Sequence, residues 1–286
     1  VGSVIVKDDK IIGQGAHLKY GDNHAEVNAI LDAKSRGDDI RGATLYVNLE
    51  PCSHYGKTPP CAERIVKEGI RRVVIGTADP FEKVSGRGIK ILEDAGISVT
   101  EGLCEEECLN LNERFFTYLK NKRPFVVLKA GMSLDGKIAT ETGESHWITS
   151  EFSRAHGHEL RGQLDAIMVG IGTILADDPT LNTRHGKYKN NPIRIITDSS
   201  LRIPLDAKVL RDDLESICII ATTEACDKEK LEKLKSMKNV EILICKDKDK
   251  KVDLKDLMEK LKDYDISSIL LEGGRTLNAE MLKNKL

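Results

Sequence analysis

A histidine at position 24, a glutamate at 26 and cysteines at 52 and 61 are the side chains of this chain best suited to hold and use a metal ion. One imidazole and two thiolates fill three corners of the tetrahedron that Zn²⁺ prefers, leaving the fourth open to water. They balance the charge of the metal, whose Lewis acidity lowers the pKa of water at that corner. Glu26, two residues past the histidine, is badly placed as a fourth ligand and well placed to move that water's protons. Both cysteines follow a proline, and residues 53–60 (SHYGKTPP) separate them. His54, Lys57 and Thr58 in that interval offer an imidazole, a cation and a hydroxyl, a set suited to a phosphate or a ribose.

Such dispersed residues need a scaffold that converges them. Residues 4–6 and 10–15 read as a hairpin about Asp8-Asp9. Helices are expected over 25–34, 61–68, 88–95 and 105–120, and strands over 43–49, 72–76 and 97–101. His24 then opens the helix that carries Glu26, and Cys52 follows a strand. Cys61 opens a helix whose N-terminus favours a thiolate. The polar stretch before Pro124 divides the chain into domains at 1–121 and 122–286. Beyond it, short β-branched runs at 125–129, 166–170, 193–197, 217–221, 240–245 and 269–272 alternate with helical segments. That pattern implies a mostly parallel sheet covered on both faces.

Other features carry less chemistry. Cys104 and Cys108, four apart with no histidine nearby, read as core or surface thiols. The Lys/Asp run at 246–251 reads as a solvated loop. Gly86-Arg87-Gly88 and Gly170-Ile171-Gly172 match the dinucleotide fingerprint only in part and read as turns. Glu272-Gly273-Gly274-Arg275-Thr276 is more telling. A strand end, a glycine turn and a helix start expose backbone N–H groups to a phosphate.

At 286 residues the chain has room for two domains, and 40% hydrophobic with 31% charged residues is a globular composition. No apolar stretch is long enough to span a bilayer, and a net charge of −2 provides no field for nucleic acid. Seven cysteines without regular spacing, and no signal peptide, imply a reducing cytoplasm rather than a disulfide framework. Val1 already lies in a strand pattern and Leu286 in a helix-like run, so truncation at both termini is expected.

The ligand set resembles that of the zinc-dependent nucleobase deaminases. Leu49-Glu50-Pro51-Cys52-Ser53-His54 and Gly56-Lys57-Thr58-Pro59-Pro60-Cys61 more closely resemble the bifunctional riboflavin-biosynthesis deaminase/reductase family. The second half agrees: residues 129–137 (KAGMSLDGK), 143–149 (GESHWIT), Asp177-Asp178-Pro179 and Glu272-Gly273-Gly274 are similar to that family's reductase motifs. The resemblance implies a cytidine-deaminase-like αβα domain followed by a dihydrofolate-reductase-like α/β domain. It implies zinc-dependent deamination of a phosphoribosylated diaminopyrimidinone, then NADPH-dependent reduction of the ribosyl to a ribityl group. Homo-oligomers are expected, with neither nucleic acid nor membrane as partner.

Carried over by motif, His24, Cys52 and Cys61 are the zinc ligands and Glu26 the proton shuttle, while His54, Lys57 and Asp79 bind the deaminase substrate. Gly131, Trp147, Thr173, Gly274, Arg275 and Thr276 lie near NADPH. Lys129, Ser145, Arg161, Asp177, Arg184 and Glu272 lie near the reductase substrate. Two of these have competing structural readings: Trp147, the sole tryptophan, also fits a core position, and Asp177 a turn or cap. The family's Asp-Pro-Asn-Pro is here Asp79-Pro80-Phe81-Glu82, so Phe81 replaces a polar contact. Two other functions fit the first motif: a deaminase of cytidine, guanine or tRNA adenosine, and a non-catalytic binder of zinc or pyrimidine nucleotides.

Overall fold

The computed structural model describes residues 1–19, 21–55, 59–81, 85–145, 147–184, 188 and 190–286. The chain divides into two units, Val1–Lys120 and Asn121–Leu286.

In the first unit β1 (Gly2–Lys7) and β2 (Lys10–Ala16) form an antiparallel hairpin. Asp8 and Asp9 at its tip have φ of 49° and 60°, the left-handed pair that a two-residue type I′ turn requires. There follow α1 (Ala25–Ser35), β3 (Thr44–Val47), α2 (Cys61–Lys67), β4 (Arg72–Ile75), α3 (Arg87–Asp94), β5 (Ser98–Glu101), α4 (Glu105–Leu111) and α5 (Glu113–Asn121). The sheet order is β2-β1-β3-β4-β5, with β3, β4 and β5 parallel. Its core joins Ile5, Leu45 and Val73 of the sheet to Ile30, Ile65 and Leu92 of the helices. Burying each such side chain contributes roughly 1.5–3 kcal/mol. α1 lies so close to β2 that a Cβ on Gly15 would come within 2.3 Å of the Ala29 nitrogen. Glycine there sets the depth of α1, and of Glu26 with it.

One expectation fails in this unit. Residues 105–120 are not one helix but two, because Asn112 leaves the helical range (φ −106°, ψ 17°) and its amide donates to the Cys108 carbonyl at 2.9 Å. A short side chain able to bond its own backbone competes with the helical ladder.

The second unit contains β6 (Phe125–Leu128), α6 (Glu151–Gln163), β7 (Ala166–Gly170), α7 (Ile171–Asp177), β8 (Ile193–Thr197), β9 (Cys218–Thr223), α8 (Lys228–Lys235) and β10 (Val240–Cys245). The hairpin β11 (Asp247–Lys248) and β12 (Lys251–Val252) comes next, then α9 (Leu254–Lys260), β13 (Ser268–Leu271) and α10 (Arg275–Lys283). Six strands pair in the order β10-β9-β8-β7-β13-β6, every pair parallel. Alternation along β7 feeds two cores: Ile167 and Val169 face one, Ala166 and Met168 the other. Both faces are therefore covered, which is why these strands read as unbroken apolar runs.

The segment at 246–251 is exposed, as expected, but it folds as an antiparallel hairpin with Asp249 and Lys250 at its tip rather than as a loop. Val252 anchors it, being buried and donating its N–H to Ser199 Oγ at 3.0 Å. The alternating charges hide that single buried anchor. Among the described residues no helix is long and apolar enough to cross a membrane.

Candidate active sites

In the first unit three elements converge on one point. His24 caps the N-terminus of α1, Cys61 is the first residue of α2, and Cys52 lies in the segment leaving β3. Their donor atoms all lie within 4.8 Å of one another, the sole metal-spaced group of His, Cys, Asp or Glu among the described residues. His24 Nδ1 is 3.5 Å from Cys52 Sγ and 3.3 Å from Cys61 Sγ. Zinc bonds of about 2.0–2.1 Å to nitrogen and about 2.3 Å to sulfur give tetrahedral N···S edges of about 3.6 Å. The donor set therefore fits zinc with little movement.

The electrostatics are already biased toward a cation. Cys52 accepts from Cys61, both from its thiol and from its N–H at 3.2 Å, and from His24; these bonds lower its pKa to about 4. The bond to Cys52 raises the His24 imidazole toward its charged form. The Cys61 thiol is pushed up by the same sulfur and by burial, so its proton is the one a bound cation would displace. Glu26 is buried beside them, and desolvation raises its carboxyl to about 7. A group that is half protonated near neutrality can both take and give a proton.

The rim of this site depends on a residue that sequence reasoning missed. Glu50, 3% exposed, accepts the backbone N–H of Asp79 (3.2 Å), Gly86 (3.0 Å), Gly88 (3.0 Å) and Ile89 (3.4 Å). Its carboxylate thus caps the start of α3 and ties the Asp79 segment to the strand that leads into Cys52. Packing is close there: a Cβ on Gly88 would come within 2.0 Å of the Pro51 carbonyl. The signal available was an acidic side chain between an apolar strand and a proline.

Asp79 is buried, which raises its carboxyl, and its Oδ1 accepts the Phe81 N–H at 2.8 Å. The Phe81 ring meets His54 edge-on with centroids 6.0 Å apart. Lys57, together with Gly56, Thr58 and Glu82, lies outside the described residues. Cys104 is exposed, whereas Cys108 packs over Gly76, where a Cβ would sit 2.2 Å from its sulfur.

In the second unit the C-terminal ends of β7, β8 and β13 open onto a cleft of about 1120 Å³. Thr173, Gly274, Arg275 and Thr276 line it, as do Ser145 and Asp177. That volume exceeds the usual range of about 300–1,000 Å³ for a single small ligand. Gly274 caps α10, whose first intrahelical bond runs from Asn278 to the Gly274 carbonyl. The N–H groups of its first turn are thus left without helical partners, as a phosphate would require. The cleft and this turn fit a dinucleotide.

The other sequence candidates gather elsewhere in this unit. Arg161 grips Glu272 with two bonds, Nε to Oε1 at 2.8 Å and Nη2 to Oε2 at 2.9 Å, and donates to the Asn182 carbonyl. Lys129 Nζ joins them at 3.4 Å. Burial opposes the charge on Glu272, but Arg161 and Lys129 outweigh it and hold the carboxyl below its ordinary value. The Arg161 fork, expected near the reductase substrate, is therefore engaged by a carboxylate. Arg184 is exposed, and its N–H donates to His158 Nδ1 at 3.4 Å.

Gly131 and Trp147 do not line the cleft. Trp147 is 70% exposed with the Arg154 guanidinium 4.4 Å from its ring centroid, so the core reading of this tryptophan fails. Gly170 and Gly172, read from sequence as mere turn residues, do line the cleft, as do Thr197 through Ser200 at the end of β8. Their position at the ends of parallel strands was the signal.

Comparison with known proteins agrees with both geometries. The model of the RibD C-terminal domain matches residues 124–286, and that of the cytidine and deoxycytidylate deaminase zinc-binding region matches residues 1–77. The chain is 48% identical over 284 residues to riboflavin biosynthesis protein RibD of Actinobacillus pleuropneumoniae, covering 99% of this chain and 74% of that protein. It is also 48% identical over 280 residues to RibD of Aquifex aeolicus, covering 98% and 76%. The crystal structure of a diaminohydroxyphosphoribosylaminopyrimidine deaminase/5-amino-6-(5-phosphoribosylamino)uracil reductase from Thermotoga maritima superposes with a TM-score of 0.83 at 40% identity, covering 99% and 76%. A zinc-ligand cluster in a deaminase-type unit and a strand-end cleft in a RibD-type unit thus lie on one chain, which belongs to the RibD family of bifunctional deaminase/reductase enzymes of riboflavin biosynthesis.

Proposed function

We propose that the first unit removes ammonia from a phosphoribosylated diaminopyrimidinone and that the second reduces the ribosyl group of the resulting 5-amino-6-(5-phosphoribosylamino)uracil, as the name of the Thermotoga protein describes. The observation that carries this reading is the buried Glu26 carboxyl beside a His/Cys/Cys donor set with metal spacing.

His24, Cys52 and Cys61 hold zinc, which when bound supplies the Lewis acidity that makes a water nucleophilic near neutrality. Glu26 takes one proton from the attacking water to the ring nitrogen as the C–O bond forms, and then passes the second, from the new hydroxyl, to the amino group. The C–N bond then breaks as the carbonyl forms, and ammonia leaves. Asp79, His54 and Lys57 orient the substrate. Phe81 supplies an apolar edge beside His54 where a polar contact was expected.

NADPH, when bound, supplies the hydride, and the second unit's task is positioning. Thr173 and the Gly274–Thr276 turn hold the cofactor, with Gly131 and Trp147 near its reactive end. Lys129, Arg161 and Glu272 form the substrate end with Ser145 and Arg184. Asp177 and Lys129 are the candidates to move the accompanying proton. The seven free cysteines fit a reducing cytoplasm, and the exposed Leu134 and Phe152 fit self-association into a homo-oligomer.

The test measures ammonia release and NADPH oxidation separately on the phosphoribosylated pyrimidine. Glu26→Gln is expected to lower ammonia release by about 10²–10⁴-fold. It should leave zinc content and NADPH oxidation on pre-deaminated substrate intact. Unchanged ammonia release would remove Glu26 from the mechanism, and NADPH oxidation that ignores the deaminated pyrimidine would refute the second activity.

A further inference from the structure

The cleft of the second unit carries a charge opposite to that of the whole chain. Six cationic side chains and four acidic ones line it, although the chain as a whole has a net charge of −2. Three of the cations, Lys248, Lys250 and Lys251, come from the β11–β12 hairpin. That hairpin is fixed in place. Val252 donates to Ser199 Oγ at 3.0 Å, Asp253 closes the base by donating to the Lys246 carbonyl at 2.9 Å, and Lys248 Nζ reaches Asn284, the C-cap of α10, at 3.5 Å. Lys246 and Lys260 nearby are paired with Asp256, at 3.7 and 3.1 Å. Among the described residues, Lys250 and Lys251 have no carboxylate partner.

Sheet order says which ligand these ammonium groups would meet. The strand ends run β9, β8, β7, β13, β6 along one edge. Arg161, Glu272 and Lys129 stand at the β13–β6 end, the Gly170–Thr173 and Gly274–Thr276 turns at the middle, and the hairpin packs beyond β8 against β9. Strands are spaced about 4.8 Å apart, so three intervals put the hairpin about 14 Å from the substrate end. A dinucleotide whose nicotinamide faces the substrate must send its other nucleoside toward the hairpin. Exposed ammonium groups without a carboxylate partner among the described residues suit a phosphate as point charges.

We propose that Lys248, Lys250 and Lys251 form the subsite for the 2′-phosphate that distinguishes NADPH from NADH. The proposal rests on the reductase reading above. The substrate carries a phosphate too, and the experiment separates the two sources.

The full chain and the triple variant Lys248→Ala/Lys250→Ala/Lys251→Ala are titrated with NADPH and with NADH by nicotinamide fluorescence, and KM for the phosphoribosyl substrate is measured alongside. The triple variant should bind NADPH about tenfold or more weakly, a change of about 1.4 kcal/mol, with the ratio of NADPH to NADH affinity falling by that factor. The salt dependence of NADPH binding should become shallower, and Lys250→Arg/Lys251→Arg should keep the preference. Equal weakening of both cofactors, an effect on substrate KM alone, or an unchanged ratio would each overturn the subsite. Failure of the reductase reading looks different: bound NADPH would not be consumed in the presence of deaminated pyrimidine.

Discussion

The two sites of this chain are built on opposite plans. The first draws three donors and an acid from residues 24–61, placed at two helix starts and one strand exit; Glu26 and Cys61 are buried, His24 and Cys52 half-buried, and the three donors are in mutual contact. The second gathers groups from residues 138–284 along the ends of parallel strands, around an open cleft of about 1120 Å³. A metal needs a few donors at fixed short distances, which a compact motif supplies. An elongated cofactor needs a row of backbone turns, which only a sheet edge supplies. The contrast predicts brittle behaviour at the first site and graded behaviour at the second.

The sharpest test of brittleness is Cys52→Ala. Losing one of three ligands should strip zinc and abolish ammonia release, while NADPH binding persists; metal analysis and fluorescence on one sample read both. Retention of stoichiometric zinc would break the comparison. Next is the buried ion pair of the second unit. Arg161→Ala leaves the buried Glu272 with Lys129 as its one cationic partner among the described residues and should cost about 3–5 kcal/mol of that unit's stability in urea unfolding. A smaller loss would show that Glu272 relaxes toward Lys129.

Glu50→Gln comes third. Replacing one acceptor oxygen by an amide that faces N–H groups should cost about 1–3 kcal/mol. It should raise the deaminase KM more than it lowers kcat, because the Asp79 segment loosens while the ligands stay. Equal loss of zinc would mean that Glu50 supports the ligands themselves.

The smallest effect is the pH dependence of the zinc-free protein. The folded Glu26 carboxyl sits at about 7 against an ordinary 4.5, so the folded state binds the proton more tightly. The stabilisation is therefore complete below about pH 4.5 and lost as pH rises through about 7. Chelated protein should melt at falling temperature across that window, and Glu26→Gln should flatten the slope. A melting temperature that rises with pH in both proteins would contradict the sign.

How much of each site could be read in advance follows from the same contrast. His24, Glu26, Cys52 and Cys61 were visible because Pro-Cys pairs and His-x-Glu sit where hydrophobic periodicity predicts helix starts. Glu50 was not visible, because its partners at residues 79–89 are backbone N–H groups that leave no mark in the sequence. The unbroken apolar runs of β7 and β9 revealed a parallel sheet buried on both faces. They did not reveal the strand order, which depends on where each crossover helix packs. Asn112 shows a local limit too: one side chain bond to Cys108 decided whether 105–120 was one helix or two.

By itself, then, the sequence determined the types of chemistry and the elements that carry them, because donor identity and periodicity are local properties of the chain. Only the tertiary structure decided that Arg161 meets Glu272 rather than a free anion, and that Trp147 lies on the surface. It also turned a Lys/Asp run into a wall of the cleft. The reason is common to all three: an ionic or aromatic side chain takes its partner from whatever packing brings near, and nearness across a sheet is not written in spacing along the chain.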